Sequence, residues 1–142
     1  MSAPLYTREI LALAVALADY PRLDAPMRSG DLRAPLCGSR VALDLIFAPD
    51  GCVAQVGLAV EACALGQAAA TLFARGAPGR SAAQLAATHE DLANWLQGWA
   101  DAPPDWPDIA TLAPARDYPA RHAAILLPFA LAARLAREVA AA

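Results

Sequence analysis

The sequence predicts an α+β fold: a small antiparallel β-sheet packed against helices, with a long helix at the C-terminal end. Three features carry this expectation. Over residues 40–48, Val41, Leu43, Leu45 and Phe47 alternate with Arg40, Ala42, Asp44 and Ile46, the period of a half-buried strand. Pro49-Asp50-Gly51 is a turn signal, and residues 52–60 read as the returning strand of a β-hairpin. From Cys63 onward the apolar spacing becomes helical, so the helices largely follow the strands.

Each element has a local reason. Thr7 can cap a helix running to about residue 18, in which Ile10, Leu13, Ala14 and Leu17 form one buried stripe. Tyr20-Pro21 ends it, because a residue before proline avoids the α region. Residues 21–36 read as a loop, with an edge strand near 28–34 as a third strand. Cys63 opens a helix with Leu65, Ala69, Leu72 and Phe73 on one face, and Gly76, Pro78 and Gly79 stop it. Ser81 and Gln84 make a capping box, followed by the apolar stripe Leu85, Leu92, Trp95, Leu96 and Trp99. Residues 102–107 form a proline-rich connector around Trp106, and a short helical piece is expected over 108–113. The last helix starts near Pro119 and runs to about residue 140, with Pro128 interrupting its hydrogen-bond ladder. The expected core includes Leu43, Leu45, Phe47, Val56, Leu72, Phe73, Leu85, Leu92, Trp95, Ile125 and Leu126. Trp106 fits either the core or an interface.

The 142 residues suit one domain over 1–142. A chain that is 58% hydrophobic and only 18% charged does not have the composition of a disordered one. The net charge is −3 and no basic patch is visible, which argues against a nucleic-acid partner. The longest apolar runs, 10–18 and 123–133, fall short of the roughly 18–20 residues a membrane span needs. Three cysteines do not make a disulfide scaffold and suit a reducing compartment, so a cytoplasmic location is expected.

The cysteines carry the chemistry. With the hairpin turn at residue 50, antiparallel partners have numbers that sum to about 100, and Cys37 and Cys63 satisfy this. The two thiols should flank the same end of the hairpin. Cys52 belongs at the turn end, about 35 Å from Cys37 at the rise of a strand, and reads as a small strand residue. Cys63 begins a helix, where unpaired N–H groups favour negative charge. Gly38 allows the backbone to turn tightly beside Cys37. Of the two histidines, His89 falls on the polar side of its helix and reads as solvated. His122 lies in the first turn of the last helix, from which its imidazole can reach a site built from other element ends. The bland alternative for His122 is a surface or capping histidine.

The run Pro35-Leu36-Cys37-Gly38-Ser39-Arg40-Val41, the alternating strand, the Asp50-Gly51 turn and Cys63 opening an alanine-rich helix resemble the U-type iron–sulfur cluster assembly scaffold family (IscU, SufU and the N-terminal part of NifU). The resemblance covers nearly the whole chain. It implies that Cys37 and Cys63 match the first two family cysteines, and that His122 matches a histidine ligand just before the third. The third cysteine itself is then Ala123, and the family aspartate is Ser39. The resemblance also implies a non-enzymatic scaffold or carrier, in which Cys37, Cys63 and His122, with Ser39 as a weak fourth ligand, hold a [2Fe–2S] cluster, iron or zinc. The cargo would pass to apo-protein acceptors, with a cysteine desulfurase as the sulfur-supplying partner and the chain a monomer or weak dimer. Two alternatives remain: a zinc-dependent sulfur-transfer protein accepting persulfide at Cys37 or Cys63, and a scaffold-fold module that only docks on a desulfurase.

Overall fold

In the computed structural model, residues 4–141 are described; residues 1–3 and 142 of the expected domain lie outside them. Helix α1 (Arg8–Ala16) is capped by Thr7, whose hydroxyl accepts from the Ile10 N–H, and a 3₁₀ turn over Leu17–Asp19 follows. The sheet contains β1 (Arg28–Arg33), β2 (Arg40–Phe47) and β3 (Val53–Glu61), antiparallel in the order β1-β2-β3. Then come α2 (Ala64–Gly76), α3 (Ala82–Gln97), 3₁₀ segments over Ile109–Asp117 and Pro119–Arg121, and α4 (His122–Ala141). The α+β class, the hairpin, the third strand and the long last helix all stand as expected.

The register differs by one residue. Arg40 pairs with Glu61 and Ile46 with Gln55, but Phe47 pairs with Val53, so a bulge lies beside the turn. The extra residue moves the far end of β3 one position past the simple count. Cys37 and Cys63 still flank the same end, since each lies just outside its strand.

Val41, Leu43, Leu45, Val53 and Leu58 enter the core with Ile10, Leu65, Leu72, Phe73, Leu85, Leu92, Phe129 and Leu131. Alternation breaks at Asp44, which is 1% exposed although it belongs to the outward set. The segment after α1 crosses that outer face. A Cβ at Gly57, opposite Asp44, would lie 2.6 Å from the Pro21 carbonyl oxygen, so only glycine admits the crossing without a shift. Asp44 then receives hydrogen bonds from Arg22 (2.6 and 2.8 Å), Ser29 Oγ (2.6 Å) and the Leu23 N–H (3.0 Å).

Trp106 belongs to the core. Its indole N–H donates to the Leu72 carbonyl at 2.7 Å, and its ring packs on Phe73 and Phe129 with centroids 5.9 and 5.3 Å away. One expected core position differs: Leu126 is only partly buried. Trp99, expected on the apolar stripe of α3, is 79% exposed, because α3 ends at the left-handed Gly98 (φ 85°), beyond which the chain leaves the helical stripe. Among the described residues, no helix is long and apolar enough to cross a membrane.

Candidate metal and cluster site

Three element ends meet in one open pocket of about 290 Å³: the β1–β2 loop, the β3–α2 junction and the start of α4. Its wall is made of Cys37, Gly38, Ser39, Glu61, Ala62, Cys63, Ala120, Arg121 and Ala124. The two sulfur-bearing residues, far apart along the chain, therefore share one cavity.

The first thiol sits on a closed loop. The Gly38 N–H donates to Ala34 O (2.9 Å) and the Ala34 N–H donates to Ser39 O (2.8 Å). Gly38 completes the turn at φ 74°, a left-handed conformation that costs glycine little. Cys37 stands exposed on this loop, its Sγ 3.3 Å from Ser39 Oγ. The thiol donates to that hydroxyl; as a thiolate it accepts from the Ser39 hydroxyl and backbone N–H. These bonds hold its pKa below the ordinary value despite partial desolvation, with a smaller contribution from the Arg121 cation. Cys63 is the N-cap residue of α2, yet its side chain makes no capping hydrogen bond. All three cysteines are free thiols. Cys52 lies at the turn end, where desolvation and Asp50 push its pKa up.

His122 is outside this wall. Its ring is buried, and Nε2 donates to the Ala115 carbonyl at 2.8 Å, fastening the start of α4 to the preceding 3₁₀ segment. The expected convergence of two thiols and an imidazole is thus met by the thiols alone. Among the described residues, no three His, Cys, Asp or Glu side chains are placed to hold one metal ion. The α4 position on the wall is Ala124, whereas Ala123 is exposed and absent from it. Ala120 and Arg121 precede Ala124 by four and three residues, the spacings at which side chains neighbour one another along a helix. His89, expected to be solvated, is half-buried near Arg137, and burial pushes its pKa down.

Glu61, Arg121 and Ala124 were not singled out from the sequence. The strand register would have found Glu61, as the partner of Arg40, and helical spacing from Arg121 would have found Ala124.

No protein-family model matches the chain, and no curated protein matches it. Solved structures do. The N-terminal part of a nitrogen-fixing NifU-like protein from Brucella abortus superimposes with a TM-score of 0.87 and 32% identity, over 96% of this chain and 95% of that one. A putative iron–sulfur cluster assembly scaffold protein for the SUF system from Fervidobacterium islandicum gives 0.82 at 16% identity, over 93% and 96%. A protein described only as hypothetical gives 0.67 at 18% identity, over 90% and 96%. The fold is that of the U-type scaffolds. At this identity and coverage, the chain belongs to the NifU-like family of iron–sulfur cluster assembly scaffolds.

Proposed function

We propose that this chain, as one domain over 1–142, is a non-enzymatic scaffold or carrier that receives an iron–sulfur cluster at Cys37 and Cys63 and releases it to apo-proteins. The shared wall of these two thiols supports the reading, and membership of the family supports an iron–sulfur cluster as the cargo. Thiolates are the usual protein ligands of iron–sulfur clusters, and zinc accepts the same donors. The pocket is open, so cargo can enter and leave without unfolding. Free cysteines fit a reducing compartment, and we place the protein in the cytoplasm.

The third ligand expected from the resemblance, His122, could join only by exchanging its Ala115 bond and leaving a buried position. We assign His122 to fixing the start of α4 instead. Ser39 serves the site by bonding to Cys37, not by binding metal.

The test is anaerobic reconstitution of the full chain with ferric ion and sulfide. Wild type should develop the visible absorption of a thiolate-bound cluster, Cys37→Ala and Cys63→Ser should lose it, and His122→Asn should keep it. A folded protein that binds neither iron nor zinc would overturn the carrier reading in favour of a module that only docks.

One observation favours a second reading, transfer of sulfur. Cys37 is exposed and its pKa is lowered, which suits a nucleophile. Its thiolate would attack the terminal sulfur of a desulfurase persulfide. A new S–S bond forms on Cys37, the donor's S–S bond breaks, and the donor cysteine leaves as thiolate. A mass gain of one sulfur atom on wild type, absent in Cys37→Ala, would mark this step.

A further inference from the structure

We propose that the cleft between β1, α3 and α4 is a second binding site, which takes the phosphate group of a small organic phosphate monoester between His89, Arg134 and Arg137. It shares no residue with the cysteine pocket and does not depend on the carrier reading.

The wall is assembled by helical spacing. Ala130, Ala133, Arg134 and Arg137 stand at i, i+3, i+4 and i+7 on α4, one face of that helix. Ala86, His89 and Glu90 repeat the spacing on α3, and Leu32 of the edge strand β1 closes the third side. Alanine at three wall positions leaves a cavity of about 450 Å³. Sites for small molecules run from roughly 300 to 1,000 Å³. Arg134 lies close over the strand edge: a Cβ at Gly30 would come 3.2 Å from its Nη2.

The chemistry of the wall selects the ligand. Two guanidinium forks and an imidazole are set around one cavity, against a single carboxylate, Glu90. Among the described residues, Arg137 forms no ion pair, and Arg134 reaches Glu138 only at 4.0 Å. Both forks are therefore open to an oxyanion. One guanidinium satisfies the two oxygens of a carboxylate, whereas a phosphate monoester offers three acceptor oxygens to three donor groups. Arginines near a helix C-terminus follow from the helix dipole alone. A half-buried imidazole set against them from α3 does not. Without a ligand, desolvation and the Arg137 cation push the His89 pKa down, against a smaller opposite pull from Glu90. An anion beside the ring reverses that balance. Leu32 and the alanines leave apolar space beside the charged groups, which suits an ester over free phosphate.

The experiment titrates the full chain with phenyl phosphate and follows the ring resonances of its two histidines by NMR, His122 serving as the internal control. The His89 signal should shift saturably and its pKa should rise in the complex, while His122 stays in place. Inorganic phosphate and benzoate should each bind several-fold more weakly. Arg134→Gln and Arg137→Gln should each weaken phenyl phosphate binding roughly ten-fold, and Glu90→Gln should strengthen it. All three side chains are exposed, so circular dichroism of the variants should match wild type. No saturable His89 shift at millimolar phenyl phosphate would overturn the proposal. So would unchanged affinity in the folded Arg134→Gln, Arg137→Gln double variant, or benzoate binding as tightly as the ester. Inorganic phosphate binding as tightly as the ester would overturn the assignment of an organic ligand.

Discussion

Asp44 and Cys37 show how neighbours far along the chain set the chemistry of a side chain. The Asp44 carboxylate is buried, and Arg22, with Ser29 and the Leu23 N–H, brings its pKa down to about 2 against the cost of burial. A carboxylate whose folded pKa lies below its unfolded value adds stability above the unfolded value, and that stability is lost as pH falls through the folded one. The melting temperature should therefore drop between about pH 4 and pH 2, and Asp44→Asn should flatten this drop. At neutral pH the same variant should cost about 1–3 kcal/mol, measurable by urea unfolding. For Cys37 the sign is simple: a lowered pKa means more thiolate at neutral pH. Iodoacetamide at pH 7 should modify Cys37 before Cys52, and Ser39→Ala should slow the Cys37 reaction several-fold. Neither environment was legible in the sequence. Ser39 is two residues from Cys37, but their hydrogen bond depends on the Gly38 turn.

The elements were largely legible because their signals are local. The Thr7 cap, the Ser81–Gln84 capping box and the hairpin alternation are each confined to a few residues. What escaped the reading depends on contacts between elements. The bulge beside Phe47 has no residue signature, yet it shifts the whole β2–β3 register. The burial of Asp44 requires the segment after α1 to lie across Gly57. Trp106 was ambiguous until Gly76 gave it room: a Cβ there would overlap the indole. Gly76→Ala should accordingly destabilise the chain by about 1–3 kcal/mol, an overpacking cost, and shift Trp106 fluorescence to longer wavelength. The start of α4 shows the same limit. Sequence placed His122 in a first helical turn but could not show that its ring turns to Ala115. His122→Asn should lower the melting temperature while leaving iron loading unchanged.

The molecule as a whole joins a hairpin end, a helix cap and the beginning of α4 into one cavity holding two thiols. The pairing of Cys37 with Cys63 was foreseeable, since a turn and the regular rise of strands fix which ends meet. Which side chains of α4 reach the pocket was not, because it depends on how one buried ring is held and which face of α4 looks inward. A family member that retains the fold while presenting two thiols at this pocket should depend on both of them completely. The deciding measurement is visible absorption and iron content after anaerobic reconstitution, comparing wild type, Cys37→Ala, Cys63→Ser and His122→Asn. Cluster absorption in wild type and His122→Asn, with none in either cysteine variant, is the result predicted. Undiminished absorption in Cys37→Ala or Cys63→Ser would contradict the assignment of this pocket as the cargo site.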